Sequence, residues 1–296
     1  MGTCLFHQKD WGGEFGAGAY ASVEGGLITV GETDGNIHLK DGKTLDLSGI
    51  YRFTLDLTGG VSAAKLKFEK VGQNAVQSDN IVFAGSAMTK VSATSYSVNV
   101  ALTQGQSISV TGISDLSSWS LDPDFFTSGF KFVPVSGDYK VTAQMDSKFF
   151  LVEAVNADGS YKKFADDGSG ALWMIGGPCY GKPAIFDVSW DTDHGLCFAE
   201  VSPKVYQLTF VAGTQLGTMA LDVKIFHQKG WGGEFGGGAY ASVSGDLITV
   251  GETDGNIHLA GGATLEAGAS YRFTVDATGG VSAATLKFEK VGAGTR

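Results

Sequence analysis

Proline is scarce in this chain, five in 296 residues, and no long apolar pattern of helical period runs through it. No stretch approaches the roughly 20 apolar residues of a membrane-spanning helix. Basic residues are outnumbered, 21 Lys and Arg against 31 Asp and Glu, for a net charge of -10. A phosphate backbone demands a basic face, so this balance argues against a nucleic-acid partner. It equally disfavours adsorption to an anionic membrane surface. Cysteine is limited to Cys4, Cys179 and Cys197. None has CxxC spacing, which leaves no zinc site and no metal or cofactor implied. Cys179 and Cys197 are near enough in sequence to bridge, but spacing does not decide it. The start, Met1-Gly2-Thr3-Cys4, has neither a basic n-region nor an apolar h-region. It opens inside a module, and the expectation is a piece of something longer with its export signal removed.

What the chain does have is glycine, 44 residues, with threonine, valine, phenylalanine and tyrosine in short runs. That is a strand-rich composition. It also has a repeat. Phe6 to Gly72 and Phe226 to Gly292 pair without a gap, with roughly 52 of about 67 positions identical. Arrays of small β modules are more often binders than catalysts, because repetition multiplies a weak contact through effective concentration.

Inside each copy, strands alternate with turn signals. Leu27-Ile28-Thr29-Val30 leads into Thr33-Asp34-Gly35-Asn36; Ile37-His38-Leu39 follows, then the Asp41-Gly42 turn. Tyr51 to Leu57 alternates strictly, placing Tyr51, Phe53, Leu55 and Leu57 on one face. This predicts a half-buried antiparallel strand. Gly59-Gly60 turns the chain, and Ala64 to Val71 returns with Leu66 and Phe68 inward.

The middle of the chain holds a fainter version. Gly137 to Thr142 matches Ala269 to Thr274, and Phe149 to Glu153 falls where Thr285 to Glu289 falls. Tyr96 to Gly105 resembles Tyr206 to Gly213, and Trp119 falls near the place of Trp231. The expectation is an all-β chain of tandem antiparallel β-sandwiches, Ig-like or carbohydrate-binding-module-like, over roughly 1–72, 73–155 and 156–296. The two close copies should share one fold. The first lacks a counterpart of residues 156–223, so it should be closed by strands from elsewhere, because an unpaired buried edge is costly.

The segment His7-Gln8-Lys9-Asp10-Trp11-Gly12-Gly13-Glu14-Phe15, with its twin His227 to Phe235, carries the most chemistry. A flat ring packs on the apolar face of a pyranose while amide, ammonium and carboxylate groups exchange hydrogen bonds with hydroxyls. This marks Trp231, Lys229, Gln228 and Glu234 in the last module, and Trp11 and Lys9 in the first, as candidate ligand contacts. The glycines would let backbone approach the ligand. The plainer alternative is a core tryptophan beside a bulge. In the last module Leu172 to Pro183 adds Trp173, Tyr180 and Lys182, and Trp190 follows. Trp173 and Trp190 have apolar neighbours that suit a core.

The order W-x-I-G-G-x-x-Y-G-K-P (from Trp173), Y-x-x-T-x-x-x-G (from Tyr206), W-x-x-E (from Trp231) and G-x-x-Y-x-F-T (from Gly268) resembles the surface glycan-binding lipoproteins of gut Bacteroidetes, the SusE/SusF type. The resemblance covers the last module well and the others in part. It implies a string of Ig-like and starch-binding-like sandwiches outside the outer membrane, lipid-anchored in the full-length protein and without enzymatic activity. It also implies an oligosaccharide or polysaccharide partner and an outer-membrane transporter complex, with Trp231, Lys229, Trp173 and Tyr180 as contacts and Trp11 and Lys9 as their first-copy equivalents. The family's lipid-attachment cysteine is not identifiable, since Cys4 aligns with Lys224.

An enzymatic alternative has carboxylates to draw on: Glu14 and Glu234, Glu32 and Glu252, Asp122 with Asp124, Asp191 with Asp193. None sits in a catalytic motif, and neither HExxH nor GxSxG occurs. Asp191-x-Asp193 and Asn156-x-Asp158-Gly159 have oxygens at alternating spacing but complete no calcium loop. The sequence is therefore read as a non-catalytic carbohydrate-binding protein of a bacterial cell surface. The alternative is a structural or adhesive repeat protein, fimbrial or phage-borne, whose aromatics pack rather than bind.

Overall fold

The computed structural model describes residues 18–33, 35–46, 49–73, 80–183 and 188–293. Among them the regular structure is strand and short 3-10 turns, and no helix is long and apolar enough to cross a membrane. The chain divides into two compact units, Met1–Ser78 and Asp79–Arg296.

The first unit contains β1 (Tyr20–Glu24), β2 (Ile28–Val30), β3 (Ile37–Leu39), β4 (Gly49–Asp56) and β5 (Ala64–Gln73). The sheet runs β1-β5-β4, with β1 parallel and β4 antiparallel to β5, while β2 and β3 form a separate hairpin. Its core is small: Ile28, Ile37, Leu66 and Phe68, with Tyr51 packed against them. Leu66 and Phe68 point inward, as their alternation predicts. The opposite strand departs from expectation, since Phe53 is 46% exposed and Leu57 is also exposed. Among the described residues every strand pair of this unit is internal. A strand from elsewhere, in this chain or a neighbour, that would close this sheet is not found among the described residues.

The second unit opens with β6 (Val82–Phe83), β7 (Ser86–Ala87), β8 (Thr89–Lys90), β9 (Ser95–Leu102), β10 (Val110–Thr111), β11 (Gly137–Gln144) and β12 (Phe149–Ala154). These form the sheets β10-β6-β7 and β12-β11-β9-β8. There follow β13 (Trp173–Gly177), β14 (Leu196–Cys197), β15 (Ala199–Ser202), β16 (Val205–Val211), β17 (Asp222–Phe226), β18 (Ser242–Ser244), β19 (Ile248–Val250), β20 (Ile257–Leu259), β21 (Ala269–Asp276) and β22 (Thr285–Ala293). They build two five-stranded sheets, β14-β13-β17-β20-β19 and β15-β16-β21-β22-β18. Trp173, Ile175, Val223 and Ile225 from one sheet and Tyr206, Leu208, Phe210, Phe273 and Phe288 from the other join a single apolar core, as in a β-sandwich. That core continues through Phe83, Phe126, Phe132, Val141 and Phe150 of the preceding strands.

The faint middle repeat is visible in the topology. β11 lies between β9 and β12 as β21 lies between β16 and β22. A tyrosine early in the strand recurs in all three segments with its hydroxyl bonded to backbone a few residues upstream. Tyr51 accepts from the Asp46 N–H at 2.8 Å and Tyr271 from the Glu266 N–H at 2.9 Å, while Tyr139 donates to the Val135 carbonyl at 2.7 Å. Such a bond pins a strand to the turn that delivers it, which explains a tyrosine just after each glycine-containing turn. Trp119 does not repeat the environment of Trp231: it is buried against Phe150, ring centroids 4.6 Å apart.

Candidate functional site

β17 ends at Phe226, and the chain then makes a tight loop. The His227 N–H bonds the Gly233 carbonyl, and Phe235 returns to pair with Ile225. Gly232 and Gly233 have φ of +85° and +69°, a region that glycine alone enters without strain. A side chain at either would not clash, so they serve the turn. Trp231 sits at the tip, 60% exposed, its ring edge-on to Phe226 at 5.7 Å and 86°. The Gln228 amide donates to the Trp231 carbonyl and fixes the loop from within. Glu234 lies 3.5 Å from Lys224 and remains exposed. Among the described tryptophans, Trp231 alone is exposed.

Lys229 is turned the other way. Its ammonium reaches Glu153 on β12 and the Tyr161 hydroxyl at 3.3 Å, and lies over the Tyr161 and Trp173 rings, 4.4 and 5.5 Å from their centroids. Burial presses Lys229 toward its neutral form, but the Glu153 carboxylate outweighs this and holds the pKa above the ordinary lysine value. The expectation of Lys229 as a ligand contact is corrected accordingly: its cation is spent on Glu153.

Trp173 is 1% exposed, in the middle of the core, edge-on to Tyr161 at 5.4 Å. It has no face to offer a ligand, which corrects its place among the contacts. Tyr180 is 38% exposed but belongs to the far end of the sheet. β13 pairs antiparallel with β17 so that Trp173 faces Phe226 and Gly177 faces Asp222. Trp231 leaves from the Phe226 end and Tyr180 from the Gly177 end, separated by a four-residue rise of about 13 Å before either loop begins. The two do not share one platform. Trp11 and Lys9, like Cys4, His7 and Glu14, lie outside the described residues.

At the base of the loop Trp173, Thr192, Phe226, Gln228, Lys229 and Gly230 line an indentation of about 160 Å³, open solvent included, which Trp231 does not line. An enclosing ligand pocket is larger, roughly 300–1,000 Å³. A ligand here would lie on the loop rather than in a cleft.

A cluster not read from the sequence lies deeper. Lys182 donates to Asp122 and Asp124, both at 2.9 Å, and its ammonium faces the Phe210 ring at 5.5 Å. Asp124 also accepts from the Thr209 N–H and hydroxyl, each at 2.6 Å, and Arg272 Nε donates to that hydroxyl at 2.9 Å. Burial lifts the Asp122 carboxyl above the ordinary range. Asp124, equally buried, is brought below it by the Lys182 charge and the Thr209 bonds. The carboxylates singled out as a possible catalytic pair are thus sealed by Lys182. They fasten the loop before β11 to the turn after β13 and, through Thr209 and Arg272, to β16 and β21. The sequence showed the Asp pair and the lysine separately, but nothing local couples residues some 60 positions apart.

The two sequences considered for calcium serve turns. Asp191 caps the turn at Asp193, and Asp158 accepts from the Ser160 N–H in the Asn156–Ser160 turn. Among the described residues no group of three His, Cys, Asp or Glu could hold a metal ion. Cys179 and Cys197 are buried and do not bridge one another; burial pushes the Cys197 thiol up to about 12.

Residues 52–164 match the model of a domain of unknown function (DUF5125), and residues 167–278 that of a second domain of unknown function (DUF5121). The two domains therefore stand in tandem along the chain. No curated protein matches it.

Proposed function

We propose that this chain, in which two domains of unknown function follow one another, is a non-catalytic carbohydrate-binding protein that takes its glycan on the Trp231 loop. The observation that carries the reading is an indole held 60% exposed by a glycine turn and a Phe226 contact. Exposing so much aromatic surface is unfavourable unless a partner covers it, and a sugar ring is a suitable partner for one isolated flat face. Gln228 and Glu234 stand beside it with hydrogen-bonding capacity for hydroxyls. The shallow surface suits a chain lying across it. The resemblance of the last module to the SusE/SusF type supports a polysaccharide ligand, a place at a bacterial outer surface and a transporter complex as partner.

A glycan array with the purified chain tests this, followed by calorimetry on the best ligand. Trp231→Ala should lower affinity by tens-fold, about 2 kcal/mol, as truncating an anchoring aromatic commonly does. Its melting temperature should stay unchanged. Silence across the array, or equal affinity in the variant, sinks the proposal. The structural or adhesive alternative draws on a different observation, the exposed Phe53, Ile50 and Leu57 of the first unit.

A further inference from the structure

The loop that carries Trp231 has two faces. Outward lie the Trp231 indole and Glu234, both exposed. Inward, positions 227, 229 and 235 all meet one earlier stretch of the chain, residues 153–164. The Phe164 N–H donates to the His227 carbonyl at 2.7 Å. The Phe164 ring packs on His227 and Phe235, with centroids 4.9 and 5.6 Å away. Lys229 pairs with Glu153, which is 2% exposed. The Tyr161 hydroxyl completes the group: it donates to the other Glu153 oxygen at 3.4 Å and accepts from Lys229 at 3.3 Å and Lys140 at 3.2 Å. This platform is firm, because β12 pairs with β11 over its whole length and Val155 bridges to Tyr161. Glu153, Tyr161 and Phe164 belong to the first matched domain, and the loop belongs to the second.

The loop needs such support. Gly230, Gly232 and Gly233 have φ of +145°, +85° and +69°. Glycine loses more freedom on ordering than any other residue. Within its own domain the tip has the Gln228 bond to the Trp231 carbonyl and the Phe226 contact. A loop left to these would spread the indole over many directions. Ordering it would then have to be done by the ligand, at a cost in affinity.

We propose that Glu153 is a positioning residue for the Trp231 site, acting through Lys229. The first matched domain holds the ligand loop of the second in its binding form, and the two domains are one binding unit. This rests on the glycan-binding reading of that loop. Glu153 touches no ligand; it takes freedom from the stretch between Lys229 and Gly233 before a ligand arrives. Coupling of this kind is reciprocal, so a glycan that grips the loop also tightens the Lys229–Glu153 contact.

Replacing both partners, Glu153→Leu with Lys229→Met, strands no charge, and exchanges of that kind commonly preserve stability. In the full chain this double variant should keep its melting temperature. Its amides across residues 228–233 should exchange hydrogen about tenfold faster, while those of β16 and β21 stay unchanged. By calorimetry its affinity for the glycan that the wild type binds best should fall about fivefold. Lys229→Arg, which keeps a charged bond to Glu153, should exchange as slowly as the wild type. Unchanged loop exchange in the double variant overturns the proposal, and so does a loosened loop with unchanged affinity. Faster exchange throughout the second unit also overturns it, since Glu153 then supports the fold at large. An array on which the wild type binds no glycan removes the binding reading instead, and loop exchange still decides whether Glu153 positions the loop.

Discussion

Lys229 and Trp231 sit two positions apart in one loop, the first turned in on Glu153 and the second out to solvent. Their replacement should fail in opposite ways. Removing the ammonium with Lys229→Met strands a carboxylate that is buried at Glu153. Breaking a buried pair from one side costs about 3–5 kcal/mol. Urea denaturation should show a loss approaching that size, and a stability unchanged by Lys229→Met would mean that the pair is not formed. Their neighbour His227 adds a pH dependence. Burial between Phe164 and Phe235 holds its imidazole pKa below the ordinary value. The folded protein then binds fewer protons than the unfolded chain, so the contribution of neutral His227 is complete above about pH 6.5 and is lost as pH falls through the lower, folded value. The melting temperature should therefore drop more between pH 7 and 5 in the wild type than in His227→Gln. Equal drops would assign the effect to other groups.

At the scale of elements, the duplicated hairpin is an internal control on packing. Phe53 and Phe273 sit in near-identical sequence with equivalent ring partners, yet among the described residues only Phe273 has a strand lying beyond it. Phe273→Ala should cost about 3–5 kcal/mol, because a filled core site becomes a cavity. Phe53→Ala should cost well under half that, since much of the ring is already in water. Comparable losses in the two would show that the first unit's sheet is covered in solution. The strands themselves were legible: the Tyr51 to Leu57 alternation and the turns at Gly59-Gly60 and Asp41-Gly42 match the strands found. Which face of each strand is covered was not legible, because it depends on a neighbour far away in sequence.

The whole molecule consists of two compact units of unequal size. Among the described residues the first has a core cluster of Ile28, Ile37, Leu66 and Phe68, and the second a core that runs through both sheet pairs. A small core offsets little conformational entropy. Denaturation should therefore proceed in two steps, with the first unit melting earlier, and Phe53→Ala should move only the earlier step. A single cooperative transition by both calorimetry and circular dichroism would contradict this.

The sequence by itself determined the repeat, the β class and the principal strands within the repeat. These follow from alternation, turn chemistry and near-identity, all of them local or comparative signals. Tertiary structure decided the site. The apolar neighbours of Trp173 already suited a core, but Lys229 and Trp231 read alike as residues of one polar and aromatic segment, and sequence assigns no depth to either. The antiparallel pairing of β13 with β17 buries Trp173 and carries Tyr180 to the other end. Glu153, some 76 positions away, takes Lys229, and only Trp231 is left in the open. Burial and ion pairing are sums over neighbours that the fold brings together, so Phe273 is buried while Phe53, in the same stretch of sequence, is 46% exposed.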